Sequence, residues 1–112
     1  MSYYTEIKTE LKNKHYILLA LKELKKRGEI TRYEPLEKKD SIKVDRGGDL
    51  FNISTTKEGT IRVEGDARVV TAFTQRLTQM YAYMSIKENL PLDFEIAKET
   101  ESAGSITILL KG

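Results

Sequence analysis

Residues 67–88 read ARVVTAFTQRLTQMYAYMSIKE, and their spacing decides how the rest of the chain has to fold. At about 100° per residue, Val70, Phe73, Leu77, Met80, Tyr81 and Met84 fall on one stripe of an α-helix. Such a stripe is a core face. The other side carries Thr71, Ala72, Gln75, Thr78, Gln79, Ala82, Tyr83 and Ile86, with no acidic residue and no lysine. A helix surface turned to water ordinarily carries Lys, Glu, Arg or Asp, and 32% of this chain is charged. The lack is therefore local. One reading is a helix whose outer face happens to be neutral. The sharper one is that a partner or a second copy covers it. Tyr83 is placed outward with Arg76, Gln79 and Ile86, the mixture of aromatic, arginine and polar side chains that interfaces favour. The candidate interface is then Thr71, Ala72, Gln75, Arg76, Gln79, Ala82, Tyr83 and Ile86. The alternative for Arg76 is that it ties the helix to a neighbouring strand.

Upstream, residues 3–11 alternate, with Tyr3, Thr5, Ile7, Thr9 and Leu11 on one side, as in a half-exposed strand. Residues 14–27 switch to helical spacing, with Ile17, Ala20, Leu21 and Leu24 on one stripe. Asn13 is placed to cap this helix and Gly28 to end it. Residues 29–34 read as a short strand, and Pro35 with Glu37, Lys38, Lys39 and Asp40 as a loop. Strands follow at 41–45, 50–55 and 60–64, joined by turns at Gly47-Gly48 and Lys57-Glu58-Gly59. Asp66 stands where it could cap the 67–88 helix. Beyond Pro91, residues 93–99 and 105–110 read as a closing hairpin. In it Phe94 and Ile96 point inward, and Ile106, Ile108 and Leu110 share a face.

Two amphipathic helices among alternating strands predict one α+β domain over 1–112. Its sheet is mainly antiparallel, with both helices packed on one face. A ferredoxin-like sandwich, or a related one with a repeated β-α-β-β unit, is the simplest architecture. The predicted core is Ile17, Leu21, Leu24, Val70, Phe73, Leu77, Met80, Met84, Ile106 and Ile108.

The composition narrows the chemistry. There is no cysteine, which removes disulfides, thiolate metal sites and cysteine nucleophiles. The single histidine, His15, leaves no histidine cluster for a transition metal and reads as a surface residue rather than a base. Gly47-Gly48-Asp49 lacks the Lys-Ser/Thr and the helix of a phosphate-binding loop. Asp45, Asp49, Glu64 and Asp66 could meet if their strands pair, but they have no EF-hand spacing. No catalytic residue, metal site or cofactor is expected, and the chain reads as a non-enzyme. No apolar run approaches the roughly 18–20 residues of a membrane span, and no signal peptide opens the chain. The expectation is a cytoplasmic protein that does not use a membrane.

Charge is unevenly spread. Residues 1–48 hold 12 Lys and Arg against 8 Asp and Glu, and residues 49–112 hold 7 against 9. Lys22, Lys25, Lys26 and Arg27 supply much of the basic half. At a helix C-terminus such cations complement the dipole. They are also the patch a nucleic-acid-binding domain would use. The primary expectation is a protein-interaction module, a homo-oligomer or small partner subunit, acting through the 67–88 helix or a sheet edge. Nucleic-acid binding by the basic half is the alternative.

Two segments carry a resemblance. The start, MSYYTEIKTELKN before a Leu-rich helix, and the end, RLTQMYAYMSIKE with FEIAKETESAGSITILLKG, resemble the hypothetical chloroplast open reading frame 35 family. Its members are small proteins of plastids, cyanobacteria and other bacteria, and no activity is established for them. The matching positions are Arg76, Leu77, Gln79, Tyr81, Ala82, Tyr83, Gly104, Ser105 and Ile106. The middle, GGDLFNISTTKEGTIRVEGDARV, differs from the family pattern and has no tryptophan. The resemblance implies a small intracellular α+β protein and no particular chemistry.

Overall fold

A computed structural model describes residues 4–90, 95–102 and 105–111. The elements run β1 (Tyr4–Lys8), α1 (Lys14–Lys26), β2 (Arg32–Leu36), β3 (Ser41–Arg46), β4 (Asp49–Thr55), β5 (Ile61–Asp66), α2 (Val70–Glu88), β6 (Glu95–Ser102) and β7 (Ser105–Lys111). Five strands form one antiparallel sheet in the order β1-β5-β4-β3-β2. β6 and β7 form a separate two-stranded sheet. The fold is α+β, with two helices and mainly antiparallel strands.

The strand order departs from the expected repeat in two places. β1 and β2, which flank α1 in sequence, lie at opposite edges of the five-stranded sheet, and no parallel pair forms among the described strands. The closing hairpin stays out of that sheet altogether. Helix α1 therefore crosses from one edge to the other, and β2 to β5 return as a meander. Sequence periodicity fixes which face of a strand is buried but not which strand lies beside it.

Alternation sorts the sheet as expected. Ile42 and Val44, Phe51 and Ile53, and Ile61 and Val63 are buried toward the helices. They meet Ile17, Ala20, Leu21 and Leu24 of α1 and Val70, Phe73, Leu77 and Met80 of α2. Phe51 and Phe73 stack with centroids 4.1 Å apart and planes within 10°. The Phe51 ring also lies over Gly65, where an added Cβ would come within 2.6 Å of it, so only a residue without Cβ fits there. Of the predicted core, Met84, Ile106 and Ile108 are half-buried at its margin rather than inside it.

Local signals held at α1. The Asn13 side chain accepts a hydrogen bond from the His15 amide, and Gly28 takes φ +77° just past the helix. They did not hold at α2. The helix begins at Val70, and Val69 precedes it without a side-chain cap. Asp66 instead accepts hydrogen bonds from the amide and guanidinium of Arg68. Pro35 lies in β2 rather than in a loop. Its missing N–H is tolerated because β2 is an edge strand. Phe94 lies outside the described residues.

Candidate interaction surface

The uncharged face of α2 divides along its length. Thr71, Ala72, Gln75, Thr78, Ala82 and Ile86 are exposed, and Gln79 is half-buried. Tyr83 is not outward as its position in the sequence suggests; only 4% of it is exposed. The reason is a second layer of the same chain. The β6–β7 hairpin lies against this flank of α2, and Ile106 and Ile108 pack at the edge of the core. Part of the cover that the neutral helix calls for is thus supplied by the chain itself.

The hairpin is fastened by a cluster of charges. Arg76 Nε and Nη2 donate to the two carboxylate oxygens of Glu29, both at 2.7 Å, and its Nη1 lies 2.6 Å from Glu101. Arg27, the residue that caps the C-terminus of α1, reaches Glu99 and Glu101 at 3.2 Å and Glu23 at 3.1 Å. Tyr83 Oη donates to Glu99, while Arg27 and Lys87 lie over its ring at 5.5 and 5.1 Å. Hydrogen bonds from Arg76 hold the Glu29 carboxyl below its ordinary range, against the opposing effect of burial. Burial, then the bond to Glu99, pushes the Tyr83 phenol up to about 12. Bidentate arginine–carboxylate pairs fix orientation as well as attraction. The tie between Arg76 and a neighbouring strand, considered from sequence as the alternative to an interface role, is present.

The sequence missed this cluster for a definable reason. Simple alternation from Phe94 and Ile96 would place Glu99 and Glu101 on the outer face. The pairing shifts register between Ile96 and Lys98, so that Glu99 stands opposite Ile108 and Glu101 opposite Ile106. Such an irregularity rephases a strand, and here it turns both carboxylates toward the helices. A run of alternating Glu beside a helix with one arginine on its neutral flank was the available signal.

The other candidates come apart in space. Lys22, Lys25 and Lys26 are exposed, but Arg27 is committed to three carboxylates, which removes one member of the basic patch. The solvent face of the five-stranded sheet carries Arg32, Lys43, Arg62 and Lys8 interleaved with Glu34, Asp45, Glu64, Asp66 and Glu6, and its exposed aromatic is Tyr4. A shallow hollow of about 680 Å³ there is lined by both signs of charge. Asp45, Asp49, Glu64 and Asp66 do not converge. Each faces its own guanidinium, from Arg32, Arg46, Arg62 and Arg68 respectively. Among the described residues no group of three or more His, Asp or Glu could hold a metal ion. His15 is exposed at the start of α1, where the fold brings Glu88 to 2.9 Å. No helix of the described residues is long and apolar enough to cross a membrane.

What remains open is a strip that runs the length of α2, through Thr71, Gln75, Thr78, Ala82 and Ile86, with Ala72 beside it. A shallow groove of about 520 Å³ flanks its first half, lined by Ile7, Thr71, Thr74, Gln75, Thr78 and Gln79. The Thr74 hydroxyl is buried there without a hydrogen-bond partner among the described residues. Comparison with protein-family models, curated proteins and solved structures gives no match for this chain.

Proposed function

We propose that this protein is a non-enzymatic interaction module that docks another protein on the open strip of α2, as a homo-oligomer or as a small subunit of a larger assembly. The observation that carries the reading is the strip itself. Thr71, Gln75, Thr78, Ala82 and Ile86 recur at three- and four-residue spacing on the exposed side of a 19-residue helix, and none is charged. The small side chains of Ala72 and Ala82 allow close approach, and Ile86, 45% exposed, offers apolar area to remove from water. Thr71, Gln75 and Thr78 supply polar groups suited to an interface that forms between folded partners. The mixed charge on the solvent face of the sheet supports a protein partner over nucleic acid, which favours a basic surface with interleaved aromatics. Membership of the hypothetical chloroplast open reading frame 35 family and a cytoplasmic location are part of the same proposal.

Ala82→Glu tests it. The side chain points away from the core, so thermal stability should stay within about 0.5 kcal/mol of the parent, as for other surface changes. A buried unpaired carboxylate is costly, so association should weaken. The readouts are sedimentation of the purified protein and capture from native extract. If Ala82→Glu alters neither, the strip is simply neutral and the reading is wrong.

A further inference from the structure

Four strand edges lie unpaired among the described residues, and three of them are protected. β1 exposes Glu6 and Lys8. β2 contains Pro35 and exposes Arg32 and Glu34. β6 carries Lys98, Glu99 and Glu101 and the register shift. Charges, prolines and bulges are the devices by which natural sheets keep their edges from pairing with other chains. β7 has none of them. It reads SITILLK, without charge or proline before Lys111. Leu109 and Leu110 are 58% and 43% exposed. A two-stranded hairpin is also short of the three strands at which a sheet becomes stable in its own right.

We propose that β7 pairs antiparallel with β7 of a second copy of this chain, about a twofold axis at Ile108, so that two hairpins make one four-stranded sheet. The proposal rests on the interaction reading above and gives it a partner and a site separate from α2. In this register Ile106 faces the partner's Leu110, and Thr107 faces the partner's Leu109. Ser105 faces the partner's Lys111, so the two lysines lie at opposite ends of the pair. Apolar side chains oppose one another at Ile106 with Leu110 and at Ile108 with its own copy, and no like charges are opposed. Such an isologous contact also closes. It consumes both unprotected edges and leaves as the new outer edges the two β6 strands, which are the protected ones. A strand from a different protein would consume one β7 edge and leave its own far edge to be accounted for.

Two double substitutions in the full chain decide the matter. Thr107→Glu with Leu109→Glu sets like charges face to face across the axis. Thr107→Lys with Leu109→Glu sets opposite charges there. Both place Leu109→Glu beside its hairpin neighbour Lys98, where it is welcome. Sedimentation of the parent should show a species at twice 12.8 kDa. The Glu/Glu variant should dissociate at least tenfold more readily, and the Lys/Glu variant should dimerise again. In the unaltered chain, hydrogen exchange of β7 amides should slow as protein concentration rises through the dimerisation range, a readout that needs no substitution. A monomeric parent, or a dimer indifferent to the Glu/Glu pair, overturns the proposal. A dimer lost in Ala82→Glu and kept in the Glu/Glu variant overturns it too, and leaves the α2 reading standing.

Discussion

Helix α2 touches two sheets and holds them by different means. Against the five-stranded sheet it sets Val70, Phe73, Leu77 and Met80, all buried, in contact with a cluster that includes Val44, Phe51, Ile53 and Val63. Against the β6–β7 hairpin it sets Arg76 and Tyr83, which meet Glu101 and Glu99, with Ile106 and Ile108 only half-buried beside them. The first contact removes a large apolar area from water, and none of these side chains is titratable. The second is a set of directed charge-assisted bonds at a partly exposed site, where solvent and ions screen them. One helix thus belongs to a core on one flank and to a latch on the other. The body should unfold as a unit, and the hairpin should open at lower cost.

Leu77→Ala attacks the first contact and should have the largest effect. Leu77 is fully buried, so the change removes apolar burial and leaves a cavity, at a cost of about 2–5 kcal/mol. The check is chemical denaturation. A midpoint equal to the parent's would show that α2 is not held to the body by this face.

Tyr83→Phe attacks the second contact and should cost less, about 0.5–1.5 kcal/mol, because Glu99 keeps Arg27 when the phenol is gone. The same residue leaves a mark in titration. Its phenol is raised to about 12 in the folded protein, above the ordinary value of 10, so it keeps its proton while an unfolded chain would lose it. Its contribution to stability is therefore complete below pH 10 and is lost as pH rises from 10 to 12. In a phenolate absorbance titration, one step among the six tyrosines should come near pH 12 and be missing in Tyr83→Phe. Tyr4, raised by burial and by Glu64, also titrates late and stays in both proteins, so it is survival of the step near pH 12 that would place the buried phenol elsewhere.

The difference between the two contacts also explains what could be read in advance. Apolar periodicity is a local property, so Ile17, Leu21, Leu24, Val70, Phe73, Leu77 and Met80 were legible as core from spacing alone. Asn13 and Gly28 were legible because caps are local too. The latch is made of residues 47 and 25 positions apart in the case of Arg76 with Glu29 and Glu101, and no periodicity joins such pairs. Tyr83 was misplaced because its burial depends on a hairpin that docks from outside the helix-and-sheet body. Glu99 and Glu101 received no role from the sequence, and plain alternation does not point to one, because a register shift reverses the phase before them. The neutral face of α2 stands out in the sequence, yet spacing does not reveal that part of its cover lies in the same chain.

Arg76 and its carboxylates fasten the hairpin to the body, while Ile106 and Ile108 add only a half-buried apolar contact at the edge of the core. Native-state hydrogen exchange of Arg76→Gln beside the parent tests this attachment most directly, amide by amide. The amides of β6 and β7 should exchange faster in the variant, while those of β3, β4 and β5 keep the parent's protection. Uniformly faster exchange across both sheets, or a hairpin whose protection does not change, would contradict it.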